Sequence, residues 1–381
     1  MMSVDKIKLF TGIAVVILFS GCTSASKQNN TSSTVDSSQW LLPFTKLDSV
    51  NPVMKPGTAS FFCPVQHKQV SWEAKNVFNP AAAVKNDTLF LLYRAQDSAG
   101  CSRIGLAKSI DGIHFIKNAT PVLFPDNDAY KKYEWPGGCE DPRLVQNSAG
   151  TYYLTYTAYD GKIARLMIAT STDLYHWRKY GPAFNDSQYE NMWSKSGSIV
   201  SSYTNEKIVA QKINGQYYMY WGDKYIWLAS STDLIHWKPL QQTPDKNFDS
   251  VYASYNISSL KIAIPTRKDK FDCDLVESGP PAMLTDEGIR LIYNSRNTPL
   301  IGDTSLPEGT YTVSQVLLDK NDPGKIISRM DHYFLKPQQP YELTGEVNNV
   351  CFAEALVYYK YSWWLYYGTA DSKIAVAINK K

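Results

Sequence analysis

Leu89-Phe-Leu-Leu-Tyr93-Arg-Ala-Gln-Asp97 is an apolar, aromatic run that ends in a polar turn, and the chain repeats it. It is echoed by Tyr152-Tyr-Leu-Thr-Tyr156-Thr-Ala-Tyr-Asp160 and by Tyr217-Tyr-Met-Tyr220-Trp-Gly-Asp223. It returns as Ile289-Arg-Leu-Ile-Tyr293-Asn-Ser-Arg-Asn297 and as Trp363-Trp-Leu-Tyr366-Tyr367-Gly-Thr-Ala-Asp371. The central tyrosines stand at 93, 156, 220, 293 and 366 or 367. Each copy has the aromatic and β-branched make-up of a strand running into a small or polar turn.

A second motif follows three of the copies. Arg103-Ile-Gly-Leu-Ala-Lys-Ser-Ile-Asp111-Gly-Ile-His-Phe115 matches Arg165-Leu-Met-Ile-Ala-Thr-Ser-Thr-Asp173-Leu-Tyr-His-Trp177 and Tyr225-Ile-Trp-Leu-Ala-Ser-Ser-Thr-Asp233-Leu-Ile-His-Trp237. This reads as a strand, a Ser/Asp turn and an aromatic packing back on it. The fourth and fifth copies, Tyr311 to Asp319 and Lys373 to Ile378, are degenerate. Spacings of roughly 60 to 75 residues suit four-stranded blades. No long segment has the 3.6-residue period of an amphipathic helix. The expectation is an all-β fold, a single five-bladed β-propeller from about Trp40 to Lys381.

The N-terminal residues are set apart from that domain. Lys6 and Lys8 precede an apolar run from Leu9 to Phe19, which closes on Phe19-Ser20-Gly21-Cys22. That is too short for a comfortable membrane span and reads as a lipoprotein signal over residues 1–21, with Cys22 the acylated residue. Residues 22–39, rich in Ser, Thr, Asn and Gln, bury too little apolar surface to order themselves and read as a tether. The implied location is the bacterial cell envelope, lipid-anchored at the outer membrane or the periplasmic face.

The formal net charge of +3 and the lack of a basic stripe point away from nucleic acid. No nucleotide-binding loop, Ser/His/Asp order or metal-ligand spacing is present, so no cofactor and no metal are expected. The five cysteines after Cys22 (Cys63, Cys101, Cys139, Cys273 and Cys351) are an odd number, and most read as small buried hydrophobes. With 26 Tyr and 10 Trp, the composition suits both a β-rich fold and sugar recognition, and does not choose between them.

Glu134-Trp-Pro-Gly-Gly-Cys-Glu140-Asp141-Pro142-Arg143 is the least routine segment. Glycines and prolines fix an irregular backbone there, beside an acid pair and an arginine; a turn with a structural ion pair is the competing reading. Glu277-Ser-Gly-Pro-Pro281 repeats the character, Asn79-Pro80-Ala81 precedes the first tyrosine strand, and Arg94 and Asp97 end it. Carboxylates on different blades of one pocket are what glycoside hydrolysis requires, one protonated and one ionised. Arg94 and Asn79 could hold sugar hydroxyls. His114, His176 and His236 belong to the repeat and read as structural.

On these strings, together with Leu317-Leu-Asp319 and Tyr366-Tyr-Gly-Thr-Ala-Asp371, the sequence resembles glycoside hydrolase family 130, the mannoside phosphorylases and β-mannosidases. The resemblance implies a five-bladed propeller, an inverting reaction and Asp141 as general acid, passing its proton through a sugar hydroxyl. It implies sugar contacts from Asn79 and Arg94, with Asp97 less closely matched; Arg143, Asn294 and Asp371 complete the candidate substrate-binding set.

Phosphorylases of the family keep basic groups for phosphate, including a His after the fourth tyrosine, where this chain has Asn294. Hydrolytic members carry two acids instead; Glu277 matches one, and Asp223 stands at the other in place of the expected Glu. The expectation is an exo-acting β-mannoside hydrolase acting on a mannoside-containing oligosaccharide, with β-1,2 linkages favoured and Glu277 the better base. A phosphorylase, a non-catalytic sugar-binding lipoprotein and a different five-bladed glycosidase remain as alternatives.

Overall fold

The computed structural model describes residues 40–204, 206–243 and 259–380. The leader, the tether and Cys22 lie outside them. The regular structure of the described residues is nearly all strand, with two short α-helices, Lys131–Glu134 and Pro340–Leu343.

Each of the five repeats folds as an antiparallel unit. The first comprises Asn76–Lys85, Thr88–Gln96, Ser102–Ser109 and Ile116–Lys117. Gly138–Gln146, Tyr152–Tyr159, Ala164–Ser171 and Arg178–Pro182 form the second. The third is Ser198–Ile199, Gln216–Trp221, Ile226–Ser231 and Lys238–Pro239. The fourth is Met283–Leu284, Ile289–Arg296, Tyr311–Leu318 and Ile326–Arg329. In the fifth, Cys351–Tyr359, Ser362–Thr369 and Lys373–Lys380 are joined by a strand from the other end of the chain, Thr45–Lys46, with Thr45 opposite Ile378. Among the described residues the units do not merge into one closed sheet. Short parallel contacts link several strands across units, as at Ser102↔Gly138 and Ser201↔Met283.

The second strand of each unit is sandwiched between neighbours, so it reads as a continuous apolar run rather than an alternating one. Within Thr88–Gln96 only Thr88 and Arg94 escape full burial. The repeated tyrosine sits in this strand, and its hydroxyl must find a partner. Tyr93 donates to Glu73 at 3.0 Å, Tyr156 to Glu134 at 2.8 Å, Tyr293 to Asp272 at 2.8 Å and Tyr367 to Glu342 at 2.8 Å. Each of these carboxylates also meets a cation on the outermost strand of the same unit: Lys117, Lys179, Arg329 and Lys46. The two short helices serve this pattern by delivering Glu134 and Glu342. Tyr220 departs from it and donates to the Pro323 carbonyl at 2.9 Å.

The Ser-x-Asp-x-x-His turns are structural. Ser109 Oγ accepts from the Gly112 amide, Asp111 accepts from the Ile113 and His114 amides, and His114 Nδ1 lies 2.7 Å from Asp111. The other two turns repeat these contacts, with Trp177 and Trp237 donating back to the Leu174 and Leu234 carbonyls. The five later cysteines are all buried and unpaired.

Candidate active site

Asn79 and Asp141 share one piece of backbone chemistry. Each precedes a proline in the first strand of its unit, and each has φ of +47°. The strand register slips at both places, between Phe78 and Pro80 and between Glu140 and Arg143. Asn and Asp tolerate this left-handed geometry better than other non-glycine residues. Proline needs no ladder hydrogen bond at such a bulge, and a bulge re-aims a side chain out of the sheet. Both side chains turn inward and meet, with Asn79 Nδ2 donating to Asp141 Oδ1 at 2.9 Å.

The two glycines before Cys139 make room for this. A Cβ on Gly138, where φ is +110°, would lie 2.1 Å from the Ser102 carbonyl oxygen. One on Gly137 would lie 2.3 Å from the Tyr159 ring. The Gly-Gly step therefore lets the second unit close against the first just upstream of Asp141.

Asn79 and Asp141 line a cavity of about 100 Å³ with Arg94, Lys195, Glu277 and Asp371, and Tyr311, Phe352, Val347 and Val350 complete its wall. Arg94 forks between Glu140 at 2.6 Å and Asp141 at 3.1 Å, with its plane over the Phe78 ring. Lys195 reaches Glu277 at 3.2 Å and Asp141 at 3.8 Å. Ser196 donates a short hydrogen bond to Glu277.

The acids of the site are pushed in different directions. Burial works to raise Asp141, but Arg94, Lys195, the Asn79 amide and Arg143 outweigh it and bring its pKa down to about 2. Glu277 is raised, because burial and then the nearby Asp223 exceed what Lys195 and Arg143 supply. Asp371 is pushed up to about 6, by burial first and then by Asp141 and Glu277, against Arg94 and Lys195. Below the cavity Glu354 is fully buried, 3.4 Å from Arg143, and burial drives its pKa well up. Two carboxyls with separated pKa values are the equipment of acid–base chemistry at a glycosidic bond. Among these acids Asp141 is the ionised member, so a proton on Asp141 requires a substrate that takes over its contacts with Arg94, Lys195 and Asn79.

The structure brings Asn79, Arg94, Asp141, Glu277 and Asp371 together. Asp97 lies outside the cavity lining, accepting from the Ala99 and Cys101 amides and pairing with Arg103. Arg143 is a tie beneath the site, donating to the carbonyls of Ser278 at 2.7 Å and Gly279 at 2.8 Å. Asn294 spends both ends of its amide on the Ala353 backbone. Asp223 is beside the site, accepting the Trp193 indole N–H at 2.9 Å. Sequence reasoning missed Lys195, Ser196, Glu354 and the aromatic wall. Lys195 precedes the first strand of its unit, whereas Asn79 and Asp141 lie inside theirs, so no local signal in the sequence marked it.

A family model described as β-1,4-mannooligosaccharide phosphorylase matches residues 46–381. A 1,2-β-oligomannan phosphorylase from Thermoanaerobacter sp. (strain X514) is 30% identical over 319 residues, spanning 81% of this chain and 90% of that protein. The structure of a glycosyl hydrolase from Bacteroides ovatus is 41% identical, with a TM-score of 0.82 over 89% of this chain and 93% of that one. Another structure is 42% identical, with a TM-score of 0.83 over 89% and 94% of the two chains. It was reported with the finding that the mannoside phosphorylases of its family include glycoside hydrolases targeting β-1,2 mannosidic linkages in Candida mannan.

Proposed function

The chain belongs to glycoside hydrolase family 130, whose members act on mannosides, and from that premise we propose that it hydrolyses β-mannosidic bonds with inversion. The observation that carries the choice of hydrolysis is the charge balance of the cavity. Three carboxylates, Asp141, Glu277 and Asp371, line it against two cations, Arg94 and Lys195, and both cations are already engaged by carboxylates. A phosphate dianion entering here would meet excess negative charge with no unpaired cation among the lining residues, whereas a neutral water would not. Asn294, where the phosphorylases keep a cation, is neutral and committed to Ala353.

In this reading Asn79, Arg94 and Asp371 hold the terminal mannose. Glu277 takes a proton from water as its oxygen attacks C1 from the face opposite the leaving group. The C1–O bond breaks, and the leaving oxygen receives a proton that Asp141 supplies through a sugar hydroxyl. In this reading sugar hydroxyls take over the hydrogen bonds that Arg94 and Asn79 give Asp141, which lets it hold that proton, and a β-linkage then yields α-mannose. β-1,2 linkages are favoured, because the 42% identical structure is tied to enzymes acting on them.

A phosphorylase is the second reading, favoured by the 30% identical relative. Product analysis of residues 23–381 on β-linked manno-oligosaccharides, with and without phosphate, separates the two. Free mannose in both conditions, lost in Asp141→Asn and Glu277→Gln, supports hydrolysis. Mannose 1-phosphate formed only with phosphate would sink it, and binding without product would make the chain a sugar-binding protein.

We read the five units as blades of one five-bladed propeller over residues 40–381. Supporting this are the N-terminal strand completing the fifth unit and the contribution of four units to one cavity. Lipid attachment at Cys22 and display in the cell envelope complete the proposal; metabolic labelling with a radioactive fatty acid, absent in Cys22→Ala, tests both.

A further inference from the structure

Trp193 and Asp223 lie in two loops clasped together beside the cavity. The Trp193 indole donates to Asp223 Oδ2 at 2.9 Å, and the Gly222 amide donates to the Lys195 carbonyl at 2.9 Å. Lys195, two residues beyond Trp193, lines the cavity itself. The Trp193 ring packs edge to face with Tyr159 at 6.3 Å, and Tyr159 in turn covers Gly137, four residues before Asp141.

Both rings are only partly buried, and neither joins a hydrophobic core among the described residues. Trp72, Trp221, Trp227 and Trp237, by contrast, are buried core residues. A tryptophan left out of the core, with its ring oriented by a charge-assisted hydrogen bond, gains little for folding. It does present a fixed apolar face with one polar edge, the surface that a pyranose ring, apolar on its faces and hydroxylated at its rim, can cover.

We propose that Trp193, braced by Tyr159 and held by Asp223, is the platform for the sugar on the leaving-group side of the cleaved bond. Asp223 is then a positioning residue for the indole rather than the base that activates water. This inference rests on the mannosidase reading above, and it leaves Glu277 as the base.

The test compares β-1,2-mannobiose with β-mannosyl fluoride, which has no second sugar. In Trp193→Ala, kcat/KM on mannobiose should fall roughly tenfold, mainly through KM, the scale of losing one aromatic contact. Turnover of the fluoride should stay within about twofold, since its binding never uses the platform. Trp193→Phe should recover part of the loss. Asp223→Asn keeps an oxygen to accept the indole N–H and should keep the KM for mannobiose near that of wild type, while Asp223→Ala should raise it as Trp193→Ala does.

Loss of turnover on both substrates in Asp223→Asn would make Asp223 the base and overturn the proposal. So would an equal loss on both substrates in Trp193→Ala, or no loss at all. If the wild-type chain cleaves neither compound, the mannosidase reading itself has failed. Calorimetric titration with mannobiose then decides the platform alone: a Kd raised roughly tenfold in Trp193→Ala sustains it, and an unchanged Kd removes it.

Discussion

Lys195 holds its ammonium group 3.2 Å from Glu277 Oε1, and the same group stands 3.8 Å from Asp141 Oδ2. One cation thus acts on both candidate catalytic carboxylates, most closely on Glu277. Its own charge is secure: burial opposes it, but Glu277 and then Asp141 more than offset that and raise its pKa. Substituting it acts on both acids at once.

Removing a cation raises the pKa of any carboxylate it faces. In Lys195→Met the acid limb of the kcat/KM profile, which reports Glu277 in the free enzyme, should therefore move to higher pH by about one unit. Activity on the acid side should fall roughly tenfold and recover in part as pH rises. Superimposable limbs in wild type and variant would show that Lys195 does not govern Glu277. If the loss appeared only with phosphate present, Lys195 would instead be a phosphate ligand.

The repeated tyrosines give a stability prediction. Tyr156 donates to the buried, ion-paired Glu134, whereas Tyr220 donates to the neutral Pro323 carbonyl. Hydrogen bonds to charged groups contribute about 1.5–3 kcal/mol and neutral ones about 0.5–1.5 kcal/mol. Tyr156→Phe should thus cost about twice what Tyr220→Phe costs in urea unfolding monitored by fluorescence. Equal losses would mean that the carboxylate adds nothing to the tyrosine's hydroxyl contact.

The repeat itself was readable because each second strand is buried on both faces and so must be apolar and aromatic throughout. Asn79 and Asp141 were readable for a related reason: an Asx-Pro step inside a strand leaves a local mark when it forms a bulge. Lys195 left none, since a lone lysine in a Ser- and Gly-rich stretch looks like a solvated surface residue until Asp141 and Glu277 converge on it. The acids that receive the tyrosine hydroxyls were equally hidden. Glu73 and Glu134 stand 20 and 22 residues before their tyrosines, and Glu342 is 25 before Tyr367. The choice between Tyr366 and Tyr367 is settled by that last contact, because Tyr366 donates to the Gly112 carbonyl instead. Asp97, Arg143 and Asn294 show the opposite limit: residues inside matching strings can be spent on the scaffold around a site.

Gly138 tests whether the Gly-Gly step positions Asp141 or merely accompanies it. Gly138→Ala must place a Cβ 2.1 Å from the Ser102 carbonyl oxygen at a φ of +110°, so the backbone has to move. Gly150 has a φ of +87° with open space around it. Gly150→Ala should therefore cost only about 1 kcal/mol, and Gly138→Ala several times more. The folded fraction of Gly138→Ala should also lose activity, because Asp141 lies three residues on. A variant that unfolds like Gly150→Ala and retains full activity would remove the glycine from the account of the site.

Asp371 lets the electrostatics of the cavity be read without any substrate. Its pKa is raised to about 6 in the folded chain, and an aspartate in the unfolded chain sits near 3.8. The folded state therefore binds the proton more tightly. That contribution is fully present below pH 3.8, is lost as pH rises through about 6, and leaves a penalty at neutral pH. An amide cannot ionise, so Asp371→Asn should be more stable than wild type at pH 7.5, with the difference shrinking toward pH 4. Because Asp371 is only partly shielded from solvent, the gain should be on the order of 1–2 kcal/mol. The same substitution removes a proposed sugar contact and should weaken mannobiose turnover. A stability gain confined to the alkaline side together with lost activity is the signature of a residue kept for the site at the expense of the fold. A stability difference independent of pH would mean that Asp371 is not strained by its neighbours.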